Sequence, residues 1–70
     1  MTDQLADRIR SARDDAGMTR ENMAPQLGVA VRTLSRWESG ETQGIRVEMV
    51  AAIARLTGKP MAFFVSEEAA

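Results

Sequence analysis

Apolar residues recur along this chain at helical spacing, in blocks that each end at a glycine. Leu5, Ile9, Ala12 and Ala16 are separated by four, three and four residues, which makes one stripe on a first helix over 3–16. Thr2 or Asp3 is placed to cap it, Asp3 suits the positive end of the helix dipole, and Gly17 ends it. Met23, Ala24 and Leu27 share one face of a second helix. Thr19 caps that helix, since its hydroxyl can accept from a backbone N–H two or three residues on. Gly28 stands where the helix must stop, because glycine takes a left-handed conformation cheaply. Val29 follows as an apolar plug. A third short helix over 31–39 turns Leu34 and Trp37 inward and leaves Arg32, Ser35 and Arg36 outward. Beyond a polar loop over 39–45, a fourth helix over 47–57 has Val50, Ile53, Ala54 and Leu56 on its inner side and stops at Gly58. Lys59 and Pro60 restart the chain, proline being well placed in a first turn. A fifth helix over 61–65 then brings Met61 and Phe64 onto the core, and 66–70 is expected to fray. Only Phe63-Phe64-Val65 has strand-forming residues, so the class predicted is all-α.

Pro25 is the one misfit. Inside the second helix it removes a backbone donor and crowds the Glu21 carbonyl, at a cost of roughly 3 kcal/mol in a regular interior. The expectation is a bent helix or an irregular first turn.

Two helices, a short turn with glycine, and an outward face bearing arginines together describe a helix-turn-helix. The segment resembles the DNA-binding helix-turn-helix of the Cro and phage-repressor (XRE-like) family. The residues that carry the resemblance are Gly17, Met18, Thr19, Glu21, Ala24, Leu27-Gly28-Val29, Leu34, Trp37-Glu38 and Gly40. Ile53-Ala54-Arg55-Leu56-Thr57-Gly58 is similar to the family's fourth helix and its glycine stop. The resemblance covers about 3–65 and implies a compact five-helix, lambda-repressor-like domain with the helix-turn-helix in helices two and three. It also implies that Arg13 in the first helix pairs with Glu38, tying it to the end of the third and orienting the reading helix. Two departures matter. Pro25 replaces a residue that is often polar and faces DNA, and Glu41 stands in a loop that is often basic.

Length and composition then bound the function. The 70 residues predict one domain over 1–70, with a core about 3–65 and a tail over 66–70. A chain this short buries only about 60% of its unfolded surface. With neither cysteine nor histidine there is no disulfide, no thiol chemistry and no ordinary zinc site, and no cofactor or metal is expected. No apolar run approaches the ~20 residues of a membrane span, and there is no signal peptide, which predicts a soluble intracellular protein; the resemblance implies the cytoplasm of a prokaryotic cell or phage-infected host. The net charge of −1 argues against a general affinity for nucleic acid. Its distribution argues back. Asp3, Asp7, Asp14, Asp15, Glu67 and Glu68 lie at the two ends, while Arg20 to Arg46 holds four arginines and three glutamates.

On this reading Val31, Arg32, Ser35 and Arg36 contact bases. Arginine donates twice to guanine O6 and N7, for about 1–3 kcal/mol of discrimination, and Val31 suits a thymine methyl. Thr19, Arg20, Gln43, Arg46 and the main-chain N–H groups near Val47 contact phosphates. Trp37 is read as core and the methionines as gap-fillers. Of Phe63, Phe64 and Val65, one phenylalanine is expected to cap the core and the other, with Val65, to be exposed. Since an exposed apolar cluster marks an interface, this segment is the expected dimer interface, the alternative being a hydrophobic plug on a monomer. The partner expected is a double-stranded DNA operator, read by a homodimer formed at least on DNA, with a protein such as an antirepressor or toxin as a further partner. The leading function is a small Cro-like repressor that occludes polymerase, with no room for a ligand-sensing domain. The alternative is an antitoxin-like interaction module of the same fold. An enzyme finds no support: there is no glycine-rich phosphate loop and no carboxylate pair at catalytic spacing.

Overall fold

In the computed structural model, which describes residues 4–41 and 45–65, the glycines set the helix lengths. The elements are α1 (Gln4–Asp15), α2 (Arg20–Leu27), α3 (Val31–Ser39), α4 (Val47–Thr57) and α5 (Met61–Phe64), with no strand among the described residues. Gly28 has φ +76°, and the two N–H groups at the turn close back on α2: Gly28 donates to the Pro25 carbonyl at 3.1 Å and Val29 to that of Ala24 at 3.0 Å. This closure satisfies carbonyls that the helix end would leave unpaired, and lets α3 start after only Gly28, Val29 and Ala30. Gly17, Gly40 and Gly58 likewise follow helix ends at positive φ.

The core draws on every helix: Ile9 and Ala12 from α1, Met23, Ala24 and Leu27 from α2, Leu34 and Trp37 from α3, Val50, Ile53 and Ala54 from α4, and Phe64 from α5. Helix α1 packs on α3, α4 and α5, while α2 packs on α3 and α4. The predicted stripes hold with three corrections. Ala16 is exposed and Ala6 is buried, because α1 ends at Asp15 and the stripe stops a turn earlier. Leu56 and Met61 lie only partly buried at the core's edge. The expected start of the first helix at Thr2 or Asp3, and the tail over 66–70, lie outside the described residues.

Of the two disturbances expected of Pro25, an irregular first turn is absent. The first turn is regular: Thr19 Oγ1 accepts from the Asn22 N–H at 3.1 Å, and the Thr19 carbonyl accepts from Met23 N–H at 3.0 Å. The helix continues through Pro25, which is exposed, as is Glu21, so water can reach the carbonyl that the ring deprives of a donor.

The elements are cross-tied by an ion centre under the helix-turn-helix. Glu38, 4% exposed, stands at the end of α3, and Arg13, 8% exposed, at the end of α1. Arg13 donates through Nε to Oε2 at 2.7 Å and through Nη2 to Oε1 at 3.0 Å, the paired geometry suited to a guanidinium and a carboxylate. Its Nη1 donates to the Met18 carbonyl at 2.9 Å, fastening the α1–α2 turn to the same centre. Hydrogen bonding to Glu38 raises the Arg13 pKa against the opposing effect of burial, so the guanidinium stays charged and its contribution is complete at neutral pH. The expected Arg13–Glu38 pair is therefore present.

Helix α5 is fastened by other means. Arg8 donates to the Phe63 carbonyl at 2.9 Å, and Lys59 pairs with Asp15 at 3.0 Å while lying 5.0 Å from the centre of the Phe63 ring. Phe63 and Phe64 meet edge to face at 5.1 Å. Phe64, 4% exposed, takes the core place expected of it and so leaves the candidate interface, Phe63 is half-buried, and Val65 alone of the three is exposed.

Two stability predictions follow from these contacts. A Cβ at position 28 would meet nothing within 4 Å, so Gly28→Ala is expected to cost only the left-handed backbone strain, about 1–2 kcal/mol. Urea titration of the variant checks this, and a loss several times larger would place a steric clash in the turn. Arg13→Ala leaves a buried carboxylate with Arg20 alone and is expected to lower stability by about 3 kcal/mol. A denaturation midpoint equal to that of the wild type would remove the ion centre from the forces that hold α3.

Candidate nucleic-acid interface

Helix α3 has two chemically distinct sides. Leu34, Trp37 and Glu38 are buried against the core, and Val31, Arg32 and Arg36 are exposed. Val31, at 37% exposure, is one of the few large apolar side chains left in solvent. Ser35 corrects the outward expectation in part, since it is half-buried. Helix α3 is a rod of nine residues, about 13 Å long at 1.5 Å per residue, and its diameter of about 10–12 Å with side chains is what a major groove about 12 Å wide admits. Arg32 and Arg36 lie one turn apart on it, about 6 Å along the axis, or roughly two base-pair steps.

Charge pairing divides the cations. Arg10 pairs with Asp7, Arg13 and Arg20 with Glu38, and Lys59 with Asp15. Among the described residues, Arg32 and Arg36 have no acidic partner, and neither do Arg8, Arg46 and Arg55. An exposed guanidinium without a carboxylate keeps its full set of donors for a ligand.

The flanks of α3 present donors of two kinds. On one side Thr19 is exposed, and its hydroxyl accepts from Asn22, which leaves the O–H free to donate. Arg20, next to it, is not the free rim arginine that was expected: its Nε donates to Glu38 Oε1 at 3.0 Å. On the other side Arg46 is the exposed N-cap of α4 and gives no side-chain cap, so the first N–H groups of α4 near Val47 are unpaired by it. Val47 itself is 64% exposed. Glu41 is exposed just beyond α3, an acid on the side where phosphate contacts were expected. Gln43 lies outside the described residues.

Sequence reasoning missed the second arginine on Glu38 and the Met18 carbonyl on Arg13. Arg20 is seven residues from Arg13 across a turn, and no periodicity relates them to the end of α3. The signal available was chemical: a glutamate next to the last residue of a short helix, on its apolar face, demands cationic partners when buried.

No helix among the described residues is long and apolar enough to cross a membrane. Compared with known proteins, residues 9–64 match the helix-turn-helix family. The chain is also 39% identical over 56 residues to the type II methyltransferase M.SsoII of Shigella sonnei, a match over 76% of this chain and 15% of that protein. The chain thus spans about a seventh of the length of this curated relative. No solved structure matches the chain. The α2–turn–α3 geometry and a match over most of the sequence agree, and the chain belongs to the helix-turn-helix family of DNA-binding proteins.

Proposed function

We propose that this chain is a sequence-specific transcriptional regulator that reads the major groove of double-stranded DNA with α3 and acts as a small Cro-like repressor in a prokaryotic or phage-infected cytoplasm. The observation that carries the reading is the outward side of α3, where Arg32 and Arg36 stand exposed, one turn apart and without acidic partners among the described residues. In this reading the two guanidiniums bond to guanine edges and Val31 contacts a thymine methyl. Ser35, half-buried, contributes at most its hydroxyl. Thr19 and Arg20 meet phosphates on one side, and Gln43, Arg46 and the N–H groups near Val47 meet them on the other.

The methyltransferase relative does not bring its chemistry with it. The chain spans 15% of that enzyme, and its sequence has neither histidine nor cysteine to carry catalysis. We read the shared stretch as a helix-turn-helix carried by both proteins, and this chain as a binding protein. A net charge of −1 gives little general affinity for DNA, so occupancy must rest on base contacts and on two copies binding together. A two-fold pair would place its reading helices about 34–36 Å apart. Val65 and the rim of Phe63 are the apolar surface near the end of α5 that such a pair would use, Phe64 being core.

Binding to its own promoter region, and selection from a random duplex library, test the reading together. The wild-type chain is expected to bind saturably and to enrich a defined site, with affinity falling steeply between 50 and 200 mM salt, as phosphate contacts require. Arg32→Ala and Arg36→Ala are each expected to cost about 1–3 kcal/mol on the enriched site while leaving the thermal midpoint in place. A folded chain that enriches no sequence, or an enriched site that both variants bind as tightly as the wild type, would remove α3 as the reader.

A further inference from the structure

Glu38 meets two cations. Arg13 alone meets both of its oxygens, at 2.7 and 3.0 Å, and Arg13 Nη1 also lies 3.6 Å from the exposed Asp14 carboxylate. Arg20 adds a third bond to Glu38, from Nε to Oε1 at 3.0 Å. It is the most solvent-exposed of the three side chains on this bond network. The Arg20 side chain is 42% exposed, against 10% for Arg13 and 2% for Glu38. The bond to Glu38 uses one of five N–H donors of a rigid planar fork, and no other partner of Arg20 occurs among the described residues. A long side chain so anchored has already given up much of the rotamer freedom that binding would otherwise take from it.

We propose that Glu38 is a positioning residue for anion binding by Arg20: it holds the guanidinium by Nε and leaves the Nη groups for a DNA phosphate. This rests on the DNA-binding reading above and adds a role for the buried carboxylate that the Arg13 pair does not contain. Glu38 then acts twice, inward on Arg13 to fix α3 relative to α1, and outward through Arg20 on the DNA backbone. The arrangement needs arginine at position 20. A lysine has one compact ammonium group, which Glu38 would draw inward without leaving a second, oriented edge.

The test compares wild type, Arg20→Ala and Arg20→Lys in binding to a mixed-sequence 30-base-pair duplex across a salt series, with thermal midpoints measured in parallel. Arg20→Ala is expected to weaken binding about tenfold at low salt and to flatten the dependence of log affinity on log salt by about 0.9, the signature of one lost phosphate contact. Arg20→Lys is expected to fall with Arg20→Ala in both measures, although it keeps the charge. Both variants stay folded because Arg13 still covers Glu38. A lysine variant with wild-type affinity and slope would overturn the positioning role, showing a plain point charge. An alanine variant that lowers only the thermal midpoint would overturn it too, showing a purely structural arginine. A folded wild type that binds no duplex at low salt would instead remove the DNA reading and this inference with it, an outcome distinct from the other two.

Discussion

A buried carboxylate sets the terms for the rest of this fold. Glu38 is almost wholly removed from water on the face of α3 that also carries Leu34 and Trp37. An ionised carboxylate there is costly unless cations and hydrogen bonds replace its water. The replacements come from different elements: Arg13 from α1, which also takes the Met18 carbonyl, and Arg20 from the first turn of α2. Satisfying one acid therefore fixes three helices relative to one another. Among the described residues no buried side-chain polar atom lacks a partner, so the centre is complete within the protein. An apolar substitute could match its stability, but not the directional constraint, because a paired guanidinium and carboxylate tolerate little change in angle.

Such a constraint matters in a chain this small. The core is one layer of side chains drawn from five short helices, and α2 and α5 contribute few turns. Packing by shape alone leaves short helices some freedom to slide, since apolar contact is non-directional. Helix α3 is held against that freedom at both ends. At its start, the Gly28 turn closes on the Ala24 and Pro25 carbonyls; at its finish, Glu38 is locked to α1. The outward side chains between these two fixed points inherit the rigidity of the frame.

Much of this was legible from residue order, and what was legible follows a physical rule. Helix stops at Gly28 and Gly58 were readable because positive φ selects glycine, and the Thr19 cap because a hydroxyl can pair a free N–H locally. The stripe of Met23, Ala24 and Leu27 was readable from helical spacing alone. The Arg13–Glu38 pair was legible only by resemblance, as nothing local links residues so far apart. What escaped were contacts whose partners meet only in three dimensions: Arg20 on Glu38, Arg8 on the Phe63 carbonyl, Lys59 on Asp15. Phe64 was legible as core from its spacing with Met61, but how far its equally apolar neighbours Phe63 and Val65 are covered is decided only by the docking of α5 on α1 and α4. The regular first turn of α2 was not legible, because the cost of a helical proline depends on whether the orphaned carbonyl can reach water, which is a property of the surface.

Those tertiary ion pairs also resolve the tension between an acidic composition and a polyanionic ligand. Net charge counts every group alike, whereas a ligand meets only the charges that the fold leaves unpaired and exposed. Here Asp15 and Glu38 are held by cations from elsewhere in the fold, and Asp7 by Arg10 one turn on in the same helix. Most of the pairing lies behind or beside α3, and the arginines of its outward side take no part in it. The outward side of α3 thus carries Arg32 and Arg36, with Arg20 and Arg46 at the flanks and the exposed acids Glu21, Glu41 and Glu48 as local opponents. A protein with net charge −1 can in this way present a locally basic edge, and the weak general attraction that results favours a ligand recognised by its bases over one held by its charge alone.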